Sequence, residues 1–255
     1  MTRTSSMGRA MEALRGLGAA ASDEPGGTTA TRLAERLERE RSQLSRTLAA
    51  LARLGYAERL GSAYRVSPAL YATALALTER RLRTDGLTAL EALSERSGEA
   101  AFLGTLSGDS TVTIVEAIPP QKGLFGSWVG RSYPAFCSDA GQAVLWDASD
   151  AEVRDVLGSS DFGFGGPNAA RSVEEFLGRL RAARARGYSI VDEEAEPGLL
   201  SVAAPVLDFR GEVVAAMQIV GVKRALAPRI PELGDLCRTA AAELSRRLRS
   251  GAAAG

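Results

Sequence analysis

The segment from residue 41 to residue 47 carries the side chains best suited to recognising another molecule. It holds two arginines, a glutamine and three hydroxyl side chains, at Arg41, Ser42, Gln43, Ser45, Arg46 and Thr47. Arginine and glutamine hydrogen-bond to base edges in the major groove of DNA, and hydroxyl groups contact bases or phosphates. We therefore predict that these six residues bind double-stranded DNA.

An amphipathic helix is expected to present these residues. Leu44, Leu48 and Leu51 recur at helical spacing within residues 41–54, which predicts a helix that buries the leucines and exposes the polar residues near its beginning. A recognition helix enters the major groove with that end. Two alternatives remain open: a helical bundle whose polar helix start is only solvated, and a winged helix that contacts protein.

The elements around this helix follow the order of a winged helix-turn-helix. Helical patterns precede it at residues 5–20 and 28–37, and two short strand patterns follow at 56–60 and 63–66, joined by Gly61 and Ser62. The hairpin would form the wing. Its arginines, Arg59 and Arg65, are predicted phosphate contacts, although either one could be an ordinary surface charge.

Charge is divided unevenly along the chain. Residues 1–84 contain 14 arginines, no lysine and 8 acidic residues, a net charge of +6, so the neutral chain carries −6 in the remainder. A basic first third on an acidic remainder favours a nucleic-acid-binding module joined to a module with another task. Chance clustering of surface arginine is the alternative.

The sequence argues against an enzyme. It contains no histidine, which excludes Ser-His and Cys-His nucleophile systems and the commonest metal ligand. Cys137 and Cys237 are far apart and outside any C-x-x-C pair, so we predict buried, unreactive side chains. We expect no cofactor and no metal. The glycine-rich segment 163–168 lacks the spacing of a nucleotide-binding motif, and a loop is the better interpretation.

No stretch approaches the length of apolar sequence that a membrane span needs, and the N-terminus lacks a signal-peptide pattern. We expect a cytoplasmic protein without membrane contact.

Two more segments are predicted after the winged helix. Residues 68–97 read as a helical linker interrupted at Asp85 and Gly86. Residues 98–250 read as a domain of mixed order, with strands at 101–106, 111–117, 123–129, 188–192, 199–208 and 212–220 and helices at 140–146, 149–157, 172–186 and 230–248. The fold class is therefore α+β, with domains at 1–67, 68–97 and 98–250.

Fragments spread over residues 6–248 resemble the IclR family of bacterial regulators in order and spacing. They are Gly8-Arg9-Ala10-Met11, Leu33-Ala34-Glu35-Arg36-Leu37, Ser45-Arg46-Thr47-Leu48, Gly55-Tyr56, Gly130-Arg131-Ser132-Tyr133-Pro134, Asp139-Ala140-Gly141-Gln142-Ala143, Arg186-Gly187-Tyr188, Glu196-Pro197-Gly198 and Val202-Ala203-Ala204-Pro205-Val206. The resemblance implies a GAF-like mixed α/β effector-binding domain for a small organic molecule, often an acid or an aromatic compound. It also implies a homodimer or homotetramer.

The resemblance further implies an effector pocket. Carried over position by position, its lining residues are Gly130, Ser138, Asp139, Ala140, Asp192, Ser201 and Val220, with Phe125, Trp128 and Phe136 as aromatic neighbours. Core filling is the alternative for the aromatic side chains. Ser138, Ser201 and Val220 depart from the residues common in the family, and the apolar Val220 disfavours a highly polar effector. Aromatic walls would favour an aromatic acid or a phenolic compound.

The acidic run from Asp192 to Glu196 has two interpretations: a cation site, or a solvated strand end that borders the pocket. We favour the second. Together the observations predict a transcriptional regulator, in the first instance a repressor, that binds a DNA operator and is controlled by an effector. A ligand-binding enzyme and a protein-binding module with a winged helix are the alternatives.

Overall fold

The computed structural model describes residues 5–21, 23–24, 26–120 and 127–249. The chain divides into two compact units, Met1–Leu77 and Thr78–Gly255. This division falls inside residues 68–97, the segment predicted as a linker. That these residues act as a linker stays a prediction. No described helix is both long enough and apolar enough to cross a membrane.

The first unit is a winged helix-turn-helix. Its elements are α1 (Ser6–Ala20), β1 (Thr28–Thr29), α2 (Ala30–Arg36), α3 (Arg41–Arg53), β2 (Ala57–Leu60) and β3 (Ala63–Val66). The strands form an antiparallel sheet in the order β1-β3-β2. Strand β1 was not predicted, because two residues are too few for a periodic pattern. The residue just before β1, Gly27, lies close to β3: a Cβ added there would be 2.8 Å from the Tyr64 carbonyl oxygen.

Side-chain caps fix where these helices begin. The Ser5 hydroxyl accepts a hydrogen bond from the Gly8 N–H at 3.0 Å, and the Thr29 hydroxyl accepts one from the Arg32 N–H at 3.3 Å. The buried faces of α1, α2 and α3 then meet in one apolar core, which includes Leu17, Leu33 and Leu48.

Helix α4 (Pro68–Ser97) is continuous, so the predicted interruption at Asp85 and Gly86 is wrong. Asp85 joins the helix through an ion pair with Arg81 one turn earlier, at 2.8 Å. Gly86 weakens a helix intrinsically, but here it provides close packing: an added Cβ would lie 3.0 Å from the Leu103 side chain.

The second unit is an α/β sandwich around an antiparallel sheet in the order β6-β5-β4-β9-β8-β7. Beside part of α4 its elements are β4 (Ala100–Ser107), β5 (Ser110–Ala117), β6 (Ser132–Pro134), α5 (Gly141–Val144), α6 (Asp150–Leu157), α7 (Val173–Arg186), β7 (Ser189–Asp192), β8 (Leu199–Leu207), β9 (Val213–Val222), α8 (Lys223–Leu226), a 3-10 turn (Ala227–Arg229) and α9 (Ile230–Arg249).

Alternating side chains of the central strands pack on opposite faces of this sheet. Val202 and Met217 belong to the core that α4 and α9 cover, whereas Ala203 and Ala216 belong to the core that α5, α6 and α7 cover. Strands β8 and β9 are therefore buried on both sides. The predicted α+β class is confirmed by the mixed arrangement of helices and sheet.

One predicted strand is misplaced. Part of the range 123–129 lies outside the described residues, and 127–129 is not a strand. The strand beside β5 is β6, in which Tyr133 pairs with Thr111. The short helix α8 was also missed, since four residues carry too little periodicity.

Candidate functional site

The beginning of α3 is a polar, accessible surface. Its leucines, Leu44, Leu48 and Leu51, are buried in the first unit. Of the six predicted DNA contacts here, Arg41, Ser42, Gln43 and Arg46 are exposed, and Ser45 and Thr47 are half-buried. The helix therefore presents side chains of the types that read base edges on one face and anchors itself through the other.

Glu40, which sequence reasoning missed, organises this surface. Its carboxylate accepts hydrogen bonds from the backbone N–H groups of Ser42 and Gln43, each at 2.8 Å, and from the Ser42 hydroxyl at 2.7 Å. These hydrogen bonds hold the pKa of Glu40 below its usual value, and the bond from the Ser42 hydroxyl has the largest effect. The charge of Arg46 lowers the pKa further. Its role could have been predicted from the sequence, because an acidic residue immediately before a helix stabilises the start of that helix.

The wing arginines are exposed but engaged. Arg59 donates to the Gly61 carbonyl at 3.0 Å, and its guanidinium lies 5.9 Å from the centre of the Tyr64 ring. Arg65 pairs with Glu58, with nitrogen–oxygen distances of 2.6 and 2.7 Å. A phosphate could displace this exposed ion pair at small cost, since such pairs contribute about 1 kcal/mol or less.

The second unit contains a cavity of about 360 Å³. Strands β4, β5 and β9 form one wall, and the segments around residues 128–140 and 195–199 form the others. The lining residues are Glu99, Ala100, Phe102, Thr111, Thr113, Trp128, Arg131, Ser132, Tyr133, Ser138, Asp139, Ala140, Ala195, Glu196, Leu199, Gln218, Val220, Gly221 and Val222. The lining is mainly apolar, with a small set of polar groups, as in ligand-binding pockets.

Half of the predicted pocket residues lie in this lining, namely Trp128, Ser138, Asp139, Ala140 and Val220. Gly130, Phe136, Asp192 and Ser201 do not, and Phe125 lies outside the described residues. Phe136 is fully buried and packs on Phe162, with ring centres 4.5 Å apart, so it fills the core. Asp192 instead pairs with Lys223 at 2.8 Å.

The other two residues lie beside the cavity rather than in its wall. Gly130 occupies a turn in which its N–H donates to the Thr113 carbonyl at 2.8 Å. Ser201 is fully buried on β8, where its hydroxyl approaches the Asp139 carboxylate in a hydrogen bond of loose geometry.

Sequence reasoning missed several lining residues, among them Gln218 and Phe102. Strand alternation could have identified Gln218, because it is two residues before Val220 on β9 and must face the same side of the sheet. Phe102 pairs with Gln218 across the sheet, and Ala100 pairs with Val220. To find Ala100 and Phe102 one must know how β4 aligns with β9, and local sequence patterns do not contain this register.

Asp139 is a half-buried ionisable group in the lining of the cavity. Burial raises its pKa from 3.8 to about 6, the hydrogen bond from Ser201 opposes this shift, and the nearby charge of Glu196 adds to it. Gln218 is nine-tenths buried, and its side-chain oxygen has no hydrogen-bond partner among the described residues. The cavity wall therefore contains a half-buried carboxylate and a buried acceptor that has no partner among the described residues.

The acidic run beside the cavity is held by the protein's own cations. The Lys223 ammonium lies 2.8 Å from Asp192 and 2.7 Å from Glu193. Glu194 is buried and lies 2.6 Å from Arg179. The prediction of a solvated strand end is therefore wrong for Glu194, while Glu196 is exposed and borders the cavity as predicted.

Both cysteines are buried, as predicted. Burial raises the pKa of each thiol to about 12, so neither forms the thiolate that a nucleophile needs.

Comparisons with known proteins agree with this geometry. Residues 74–246 match the family model for the bacterial transcriptional regulator IclR C-terminal domain. The Pca regulon regulatory protein of Pseudomonas putida is 30% identical over 193 residues, 75% of this chain and 66% of that protein. The HTH-type transcriptional regulator BhcR of Paracoccus denitrificans is 30% identical over 229 residues, 86% of this chain and 80% of that protein.

The crystal structure of IclR from Thermotoga maritima has the same fold, with a TM-score of 0.63 at 24% identity over 96% of this chain and 98% of that one. The resemblance predicted from sequence fragments is thereby confirmed, and the chain belongs to the IclR family of bacterial transcriptional regulators.

Proposed function

We propose that this protein binds a DNA operator through α3 and the wing, and that a small organic effector in the cavity of the second unit controls this binding. The observation that carries the proposal is the orientation of α3, whose leucines are buried while Arg41, Gln43 and Arg46 are exposed near its beginning. This is the arrangement that a recognition helix requires.

The cavity supports an effector of about the size of one substituted ring. Cavities of about 150 Å³ hold benzene, and this one measures about 360 Å³. Phe102, Trp128 and Tyr133 contribute aromatic surface to its wall. An aromatic acid or a phenolic compound is therefore the effector class that we propose.

Regulation requires that the effector bind unequally to the DNA-competent and DNA-incompetent states. As a repressor, the protein would release its operator when the effector binds. A homodimer or homotetramer would place two copies of α3 on two half-sites. We propose this action in the cytoplasm and without enzymatic turnover of the effector, since the chain lacks histidine and both thiols are buried.

Operator binding can be tested with two arginine variants of the same helix. Arg46→Ala removes a candidate base contact, so we expect binding to weaken by about 1–3 kcal/mol, or roughly 5- to 150-fold. Arg53→Ala, at the exposed far end of α3, should change affinity little. Gel-shift titration on DNA upstream of the protein's own gene, at two salt concentrations, measures both.

Equal effects of the two substitutions would contradict the assigned direction of α3. Failure of the wild-type protein to bind any upstream fragment at low salt would overturn the proposed function.

A further inference from the structure

The charged side chains in the lining of the cavity are mainly carboxylates. Glu99, Asp139 and Glu196 contribute carboxylates, and Gln218 contributes the unpaired side-chain oxygen. An ionised carboxylate accepts hydrogen bonds and cannot donate them. The cavity therefore offers several acceptors to whatever occupies it.

One of these acceptors is buried without a partner in the described residues, and another is a half-buried carboxylate. The Gln218 side chain is only 6% exposed, and its oxygen is unpartnered among the described residues. Asp139 has the loose bond from Ser201 to stabilise its charge. A buried acceptor without a donor is costly, so a ligand that brings a donor to this place removes that cost.

Positive charge is limited to one side chain in the described lining. Arg131 is exposed at the mouth of the cavity, where its guanidinium lies 5.0 Å from the centre of the Trp128 ring. Glu99 faces Arg229 at 3.9 Å, but Arg229 is not in the lining. A negative group placed beside Asp139 would meet a like charge inside the protein, where repulsion is stronger than in bulk water.

We infer that the cavity binds a small, largely apolar molecule that directs an uncharged or positively charged hydrogen-bond donor, a hydroxyl or an amine, to Asp139 and Gln218. This inference rests on the proposed effector role of the cavity and specifies its chemistry. It also narrows the effector class: a phenol, or an aromatic acid that carries a hydroxyl, directs that hydroxyl inward, whereas an aromatic acid without a donor has no group to offer there.

A set of compounds that differ only in the polar group tests the inference. Benzylamine, benzyl alcohol and benzoate share one ring, and binding of each to the full chain is measured by calorimetry at pH 7.5 without DNA. Compounds of this size reach affinities of about 10 mM or better in a fitting site. We expect the amine and the alcohol to bind at least roughly tenfold more tightly than benzoate.

Variants of one residue type supply the controls. Asp139→Asn keeps the shape of the side chain and removes its charge, so the advantage of benzylamine over benzoate should fall by roughly tenfold or more. Asp155→Asn changes an exposed carboxylate on α6, outside the lining, and should leave the preference unchanged.

Tighter binding of benzoate by the wild type, an unchanged preference in Asp139→Asn, or no binding of either donor compound at about 10 mM would overturn the inference. Operator binding, measured separately, distinguishes this failure from failure of the proposed function. A protein that binds its operator but prefers benzoate refutes only the ligand chemistry.

Discussion

Replacing Asp139 by asparagine is expected to stabilise the ligand-free protein at neutral pH. The folded protein raises the pKa of this carboxyl group from 3.8 to about 6, mainly through burial. The charged form is therefore less favourable in the folded state than in the unfolded chain. Asparagine has nearly the same shape and cannot ionise, so it avoids this cost.

The size and the pH range of the effect follow from proton linkage. Between pH 3.8 and about 6 the folded state binds more protons at Asp139 than the unfolded state, so stability falls as pH rises through this range. At 1.36 kcal/mol per pKa unit, the loss is complete above pH 6 at about 3 kcal/mol. Asp139 is only half-buried, so screening by solvent lowers this figure, which makes it an upper bound.

Urea unfolding at pH 4, 5, 6 and 7.5 measures the free energy of unfolding of wild type and Asp139→Asn. Burial also shifts the pKa of Glu194 upward, to about 7, and the charge of Asp139 adds to that shift, so removing this charge changes stability in the same direction. The variant should gain stability relative to wild type as pH rises, by up to about 3 kcal/mol. A difference that is constant with pH, or that reverses sign, would refute the burial argument. Asp155→Asn, at an exposed position, should show no such trend.

Two helical glycines and one helix cap provide further tests. Gly234→Ala on α9 would place a Cβ 2.3 Å from the Tyr188 ring and should destabilise the protein by about 1–3 kcal/mol in urea unfolding. Gly178→Ala on α7 meets no atom within 4 Å and should stabilise it by up to about 1 kcal/mol; shifts of the same sign would contradict the packing. Glu40→Ala should destabilise the start of α3 and speed hydrogen exchange at the Gln43 amide, because it removes the acceptor of that N–H. Unchanged exchange there would argue against the cap.

Local periodicity predicted the winged helix well because its elements are amphipathic and short loops join them. The leucines of α3 specified both the helix and its buried face, and the hairpin followed from Gly61 and its flanking strands. Helix α4 shows the limit of such reasoning. Gly86 reads as a break locally, but its role in packing against Leu103 depends on a strand that comes later in the chain.

The candidate pocket was half predictable for a similar reason. Positions such as Asp139 and Val220 followed from the order of fragments along the chain, whereas Ala100 and Phe102 face the cavity because β4 pairs with β9 in a particular register. Phe136 was misassigned because burial in a core and exposure to a cavity look alike in sequence.

The segment at residues 193–198 is held by ion pairs, so the shape of the ligand site is expected to depend on salt concentration. Partly exposed pairs of Lys223 with Asp192 and Glu193 anchor this segment, which carries Ala195 and Glu196 to the cavity. Mobile ions weaken such pairs just as they compete with phosphates for arginine. A salt titration of operator affinity made with effector present thus reports on two places in the molecule. The same titration without effector isolates the DNA contribution.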